Sequence, residues 1–426
     1  MKTSPEESVA TSLAENKMAG PPKNRLGLTI PQSLALIGPA FVAGAWRFGP
    51  GALTSAVQAG SQFGYALLWV LVVSTILMFI FNDMAVRIGL ATDDSLVQTT
   101  KRTLGRPVGV LAGFAVFGIT LMFAVGNAVG SGLALKMLFG GSMVGWTLAC
   151  TVAVAILIAL PNTYKIMERL LVALIGLMSV GFLASAVLTD PDWSLAASGF
   201  IPRIPPEAGF LLIAIVGTNF SINSAFYTGY AIRERGLKPS QYRSITLADT
   251  IPGNVATGVM AMLIIIVSAA VFNASGVVVH TFPQLAQVLE PVAGKIGSVL
   301  FGMGFFAAAF SSMAANASAG GTLLADGLGW DNTLSSPRVK ALVYVILAWG
   351  AAVTILAKGS PIQLIIVAQA MTVLAAPFLG ILLFVLSSRR DVVGKLSNRP
   401  WQKVLGLIGL IAIFSLSIRL IVKLFS

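Results

Sequence analysis

The feature that most limits this chain is a recurrence. Apolar runs of about 20 residues or more, each long enough for a helix to cross a ~30 Å hydrocarbon core, follow one another from residue 34 to the carboxyl end. A transmembrane β-barrel would show shorter segments alternating in polarity. With 56% hydrophobic and 10% charged residues, too little polar side chain is left to clothe a water-facing surface. The fold class is therefore all-α and polytopic: an integral membrane protein, in the inner membrane if the source is bacterial.

Eleven spans can be drawn, at 34–59, 65–88, 108–138, 144–160, 167–188, 209–232, 251–272, 292–317, 339–357, 362–386 and 404–424. Residues 1–33 carry Glu6, Glu7, Glu15, Lys17, Lys23 and Arg25 without an apolar core. They are no cleavable signal and are expected to form a disordered cytoplasmic tail. The net charge of +12 would suggest nucleic acid in a soluble protein, but here it gathers in alternate connections. Arg87, Lys101, Arg102, Arg106, Lys165, Arg169, Arg233, Arg235, Lys238, Arg243, Arg338, Lys340, Arg389, Arg390, Lys395, Arg399 and Lys403 fall on the side of the amino terminus. The other side holds Lys136, Arg203, Lys295, Lys358, Arg419 and Lys423. That asymmetry places the amino terminus in the cytoplasm, and an odd span count places the carboxyl terminus outside. The lone Cys150 excludes a disulfide framework and reads as a small packing residue.

Two spans five apart are interrupted. The first contains Gly49-Pro50-Gly51, where proline removes a backbone donor and the glycines ease departure from helical dihedrals. The sixth carries Gly217-Thr218-Asn219-Phe220-Ser221-Ile222-Asn223-Ser224, a polar cluster at mid-depth. Interrupted segments at matching positions point to an inverted-repeat secondary transporter with its site near the midplane. The expected division is a first repeat at 34–188, a second at 207–388 and an additional span at 401–426.

Gly38-Pro39, Pro50-Gly51, Ala59-Gly60-Ser61-Gln62-Phe63-Gly64-Tyr65 with Leu68-Trp69-Val70, and Arg87-Ile88-Gly89-Leu90-Ala91-Thr92 resemble the NRAMP family of metal-ion transporters. Weaker similarity runs through Ala368-Gln369 and Ala376-Pro377-Phe378. The resemblance implies the LeuT-type fold, with ten core helices in two inverted repeats and alternating access around broken spans one and six. The departures are chemical. The family's Asp-Pro-Gly-Asn aligns with Gly49, Pro50, Gly51 and Ala52, and its Met-Pro-His-Asn with Ser221, Ile222, Asn223 and Ser224. The acidic residues of span three align with Phe117, Ala124 and Asn127, and a span-ten glutamine with Ala375.

Arg47 is the charge set deepest in a span, too far along it to snorkel comfortably. At about 5 Å it would repel a dication by ~6 to 7 kcal/mol at an effective dielectric constant of 20, against about 8 kcal/mol for micromolar binding. The leading expectation is therefore a small planar anion, bicarbonate first, drawn by Arg47 and by the amides that begin the second half-helices. The expected binding residues are Arg47, Gly49, Gly51, Ala52, Asn219, Ser221, Asn223, Ser224 and Tyr227. Arg47 could instead cap the carboxyl end of its own half-helix or stand in permanently for a coupling cation, and Tyr227 could serve packing. A hydrated divalent metal, Mg²⁺ or Mn²⁺, held by neutral oxygens is the alternative cargo, and a non-transporting sensor or scaffold is a third reading. No enzyme, cofactor or metal centre is expected, the partners being the bilayer and a small inorganic ion. The coupling ion and the oligomeric state stay open, a monomer being compatible.

Overall fold

The structure, a computed structural model, describes residues 47–160, 164–357 and 359–425, with backbone alone for 164–170. The expected tail, the first half of the first span, Trp46 and Lys358 lie outside these residues. The regular elements among the described residues are all helical, as the apolar runs require. The principal ones are α1 (Pro50–Phe63), α2 (Leu68–Ala91), α3 (Leu96–Leu104), α4 (Arg106–Phe139), α5 (Met143–Ala159), α6 (Tyr164–Leu188), α7 (Gly209–Asn219), α8 (Ile222–Glu234), α9 (Ile251–Val271), α10 (Lys295–Leu328), α11 (Pro337–Leu356), α12 (Pro361–Met371), α13 (Ala376–Ser388) and α14 (Pro400–Phe425).

Eight of the described helices are long and apolar enough to cross a membrane, or nine if the bent pair α12–α13 is one span. The shorter α5, of 17 residues, and α1, of 14, stand where the sequence places the fourth span and the second half of the first.

Both expected interruptions are present. α1 starts at Pro50 with Gly49 as its cap in an extended conformation, so the helix begins where the missing proline N–H does no harm. Between α7 and α8 the chain leaves helical geometry at Phe220 (φ −91°, ψ 71°) and Ser221 (φ −89°, ψ 85°). A third break, not expected from the sequence, bends α12 against α13 by 40°. Pro377 lies in the first turn of α13, where it can begin a helix but cannot continue one.

Which helix packs on which follows a rule. α4 and α10 lie along each other, α1 packs on α9, α8 on α2, α12 on α4, and α6 on α10. Exchanging span one for six, two for seven and so on to five for ten turns each of these pairs into itself or into another of the set. Two five-helix repeats related by a pseudo-two-fold axis produce that pattern, and the arrangement is the LeuT type. Small residues allow the closest crossings. A Cβ on Gly89 of α2 would lie 2.3 Å from the Gly229 carbonyl oxygen of α8, and one on Gly60 of α1 would lie 2.5 Å from the Ile265 oxygen of α9. Close approach of this kind drives helix association where lipid offers no hydrophobic advantage. On the outside, α14 exposes Leu407, Ile411, Ile418 and Val422, an apolar face suited to acyl chains.

The buried charges sit toward helix ends. Arg87 Nε donates to Asp83 at 3.0 Å and its Nη1 to the Leu396 carbonyl at 2.9 Å, while the Tyr242 hydroxyl donates to Asp83 at 2.7 Å. Asp326, in the last turn of α10, accepts from Ser95 Oγ and from Gln98 Nε2 (2.8 Å), and its carbonyl accepts from Lys101 Nζ (2.7 Å). These groups hold the connecting segments against the ends of the spans.

Candidate functional site

A helix that stops inside a membrane protein leaves carbonyls at one end and amides at the other without internal partners. The break after α7 presents the carbonyl end, with partial negative charge, next to the start of α1. Arg47, 5% exposed, donates from Nη1 to the Asn219 carbonyl oxygen at 3.3 Å. The helix end that Arg47 meets is that of α7, the first half of the sixth span, whereas the capping weighed for it concerned its own half-helix, which lies outside the described residues. Its Nε has no hydrogen-bond partner.

Asn219 contributes its backbone and not its side chain. The amide Nδ2 is drawn into α2, donating to Ser74 Oγ (2.7 Å), Thr75 Oγ1 (2.9 Å) and the Leu71 carbonyl (3.3 Å). Arg47, Ala52 and Asn219 line one cavity together with Ser55, Leu71, Ile215, Thr218 and Thr257. Its volume of about 10 Å³ is close to the minimum for a single water.

Past the break the polar residues turn to α10. Ser221 Oγ donates to Asn223 Oδ1 (2.7 Å), Asn223 Nδ2 donates to Asn316 Oδ1 (3.3 Å), and Asn316 Nδ2 donates to the Ser312 carbonyl (3.0 Å). Ser224 Oγ donates to the Ser221 carbonyl at 2.7 Å, which fixes the first turn of α8. Tyr227, one turn further along α8, is half-buried. Of the expected residues, Arg47, Ala52 and Asn219 line the cavity, Ser221 and Asn223 run in a chain of hydrogen bonds toward Asn316 with Ser224 bonded back to the Ser221 carbonyl, and Gly49, Gly51 and Tyr227 belong to neither group.

Sequence reasoning missed Gln369 of α12 as a site residue. It is 1% exposed, and neither amide atom has a partner. Three glycines make its slot. A Cβ would fall 2.3 Å from Gln369 Cδ if placed on Gly51, 2.7 Å from its Nε2 on Gly126, and 2.3 Å from its carbonyl oxygen on Gly217. The available signal was a glutamine within an apolar span facing helices with glycines at mid-depth. Thr372 Oγ1 joins the same two elements, donating to the Gln369 carbonyl (2.7 Å) and the Gly217 carbonyl (3.2 Å). Asn316 and Asn127 were likewise missed, and Asn127 Nδ2 is buried without a partner. Among the described residues no group of three or more His, Cys, Asp or Glu side chains could hold a metal. His280 is exposed, as its loop position suggested, and borders a cavity of about 580 Å³ with Lys136, Phe282 and Ser360.

Comparison with known proteins gives one consistent answer. The divalent metal cation transporter MntH of Brucella suis is 26% identical over 424 residues, covering 95% of this chain and 91% of that protein. MntH of Mycobacterium leprae is 25% identical, covering 87% and 88%. A variant of the Eremococcus coleocola manganese transporter superposes with a TM-score of 0.73 at 20% identity, over 94% of this chain and 88% of that one. MhsT, in complex with L-phenylalanine, shares the fold with a TM-score of 0.56 at 15% identity.

These relatives correct the expectation of an anion. They are named for divalent metal cations, so bicarbonate is withdrawn as the leading cargo. The geometry explains the error, because the Arg47 guanidinium taken as free to draw an anion is engaged by a carbonyl, and carbonyl oxygens at a helix end repel anions. Along residues 40–423 the sequence matches the natural resistance-associated macrophage protein-like family, a family of transporters and not of enzymes, and the chain belongs to it.

Proposed function

We propose that the chain is a secondary transporter carrying a divalent metal ion, Mg²⁺ or Mn²⁺, by alternating access about the breaks in the first and sixth spans. The observation that carries this reading is the family match along 40–423, with near full-length relatives named as divalent metal cation transporters. Hard cations take oxygen ligands, and Mg²⁺ keeps several of its waters. The oxygens on offer are neutral: the carbonyl end of α7 at Asn219, the hydroxyls of Ser221 and Ser224, and the amide oxygens of Asn223 and Gln369. Gly49, Gly51 and Ala52 keep bulk away from the start of α1, which brings Gln369 against Gly51, and Tyr227 borders the site on α8.

Without a carboxylate the attraction is weaker, and half-saturation is expected far above the micromolar range that about 8 kcal/mol would give. We assign the repeats to 34–188 and 207–388, the extra span to 401–426, and the amino terminus to the cytoplasmic side where the basic connections gather. Purified protein in liposomes loaded with a metal-sensitive dye tests the reading. Mn²⁺ or Mg²⁺ added outside should enter faster than into empty vesicles. Entry of neither ion above that background overturns it.

A further inference from the structure

We propose that Arg47 is a tethered cation that occupies the metal's carbonyl ligand at the end of α7 and has to leave before the cargo can bind. The inference rests on the metal reading above and adds what sets the affinity. Four observations carry it. The guanidinium is buried and donates to the Asn219 oxygen at 3.3 Å. The Asn219 side chain is held by Ser74 and Thr75, so the carbonyl is what this residue presents at the break. The surrounding cavity is closed to about 10 Å³ and its lining contains no acid, so nothing there neutralises Arg47 and a dication together. Arg47 Nε is unbonded, so one donor of the guanidinium is left unsatisfied in this state.

A guanidinium and a metal ion seek the same thing from a helix carboxyl end, a carbonyl dipole pointing outward. Both cannot have it at once, since like charges at such range in a poorly solvated site repel strongly. The molecule thus carries its own competitor. Cargo binds by exchange, with Arg47 released from the Asn219 oxygen as the metal takes it, and the apparent affinity is reduced by the fraction of molecules in which Arg47 holds the ligand.

The test uses full-length protein in dye-loaded liposomes and two variants. Arg47→Gln keeps a donor for the Asn219 carbonyl but removes the charge. Arg47→Met removes both and fills similar volume among Ala52, Leu71, Ile215 and Ala261. Both should lower the Mn²⁺ concentration for half-maximal uptake at least tenfold, about 1.4 kcal/mol. A purely capping Arg47 would show as a lower melting temperature in Arg47→Met with unchanged Mn²⁺ dependence, and that overturns the inference while leaving the metal reading intact. Uptake by either variant at Mn²⁺ concentrations where the wild type is still at background, with wild-type uptake appearing at higher Mn²⁺, supports it in its strongest form. No uptake by any of the three removes the metal reading and the inference with it. If one variant fails to fold, the other decides.

Discussion

Gln369 is buried with both amide atoms unbonded, in a slot made by Gly51, Gly126 and Gly217. An unsatisfied buried polar group costs about 1 to 3 kcal/mol, so the side chain weakens the resting fold. Gln369→Leu should therefore leave the melting temperature unchanged or raise it, while Mn²⁺ uptake falls at least tenfold. Equal uptake with higher stability would show that the amide does not touch the cargo. At this scale the sequence was half legible. Burial of Asn219 and Arg47 could be foreseen from their depth in apolar spans. Which way each faced could not, because the Asn219 amide is turned by Ser74 and Thr75, residues about 145 positions away along the chain. A polar residue read without its partners counts as lining a cavity even where a neighbouring helix holds its side chain, as α2 holds that of Asn219.

The first and sixth spans break where their residues require. Gly49-Pro50-Gly51 ends helical propagation by local chemistry alone, and the run from Gly217 to Ser224 supplies side chains that can compete for backbone groups. The bend between α12 and α13 went unforeseen because Pro377 sits in an apolar run between Ala376 and Phe378, without the adjoining glycines that mark the first break. The element most firmly tied by charge is α2. Its Asp83–Arg87 pair reaches Tyr242, before α9, and the Leu396 carbonyl, between α13 and α14. Removing one partner leaves an uncompensated buried charge, so Asp83→Ala should destabilise by about 3 to 5 kcal/mol. Removing both, in Asp83→Ala with Arg87→Met, should recover most of that. Thermal unfolding in detergent reads both values, and equal losses in the single and double variants would deny the coupling.

At the scale of the whole molecule, the family and the LeuT-type fold were legible from span spacing and short matching stretches, because both are properties of many residues at once. The cargo was not, since it hangs on the partner of one guanidinium. The proposed orientation rests on the same collective kind of signal. Cys150 is buried, so a single added cysteine can be labelled over a low background. His280→Cys, in an exposed loop, should react with an impermeant thiol reagent added to intact cells, and Arg102→Cys, on the surface of α3, should react only after the membrane is opened. The reverse pattern would invert the assigned topology.

Thr372 has a further consequence. One hydroxyl clasps the last turn of α12 and, across the interface, the Gly217 carbonyl two residues before the end of α7. The bend at residue 375 therefore lies just beyond a stitch that binds the tenth span to the sixth. A movement of α12 as a whole would carry that stitch with it and pull on the turn that ends at the Asn219 oxygen, the atom that Arg47 grips.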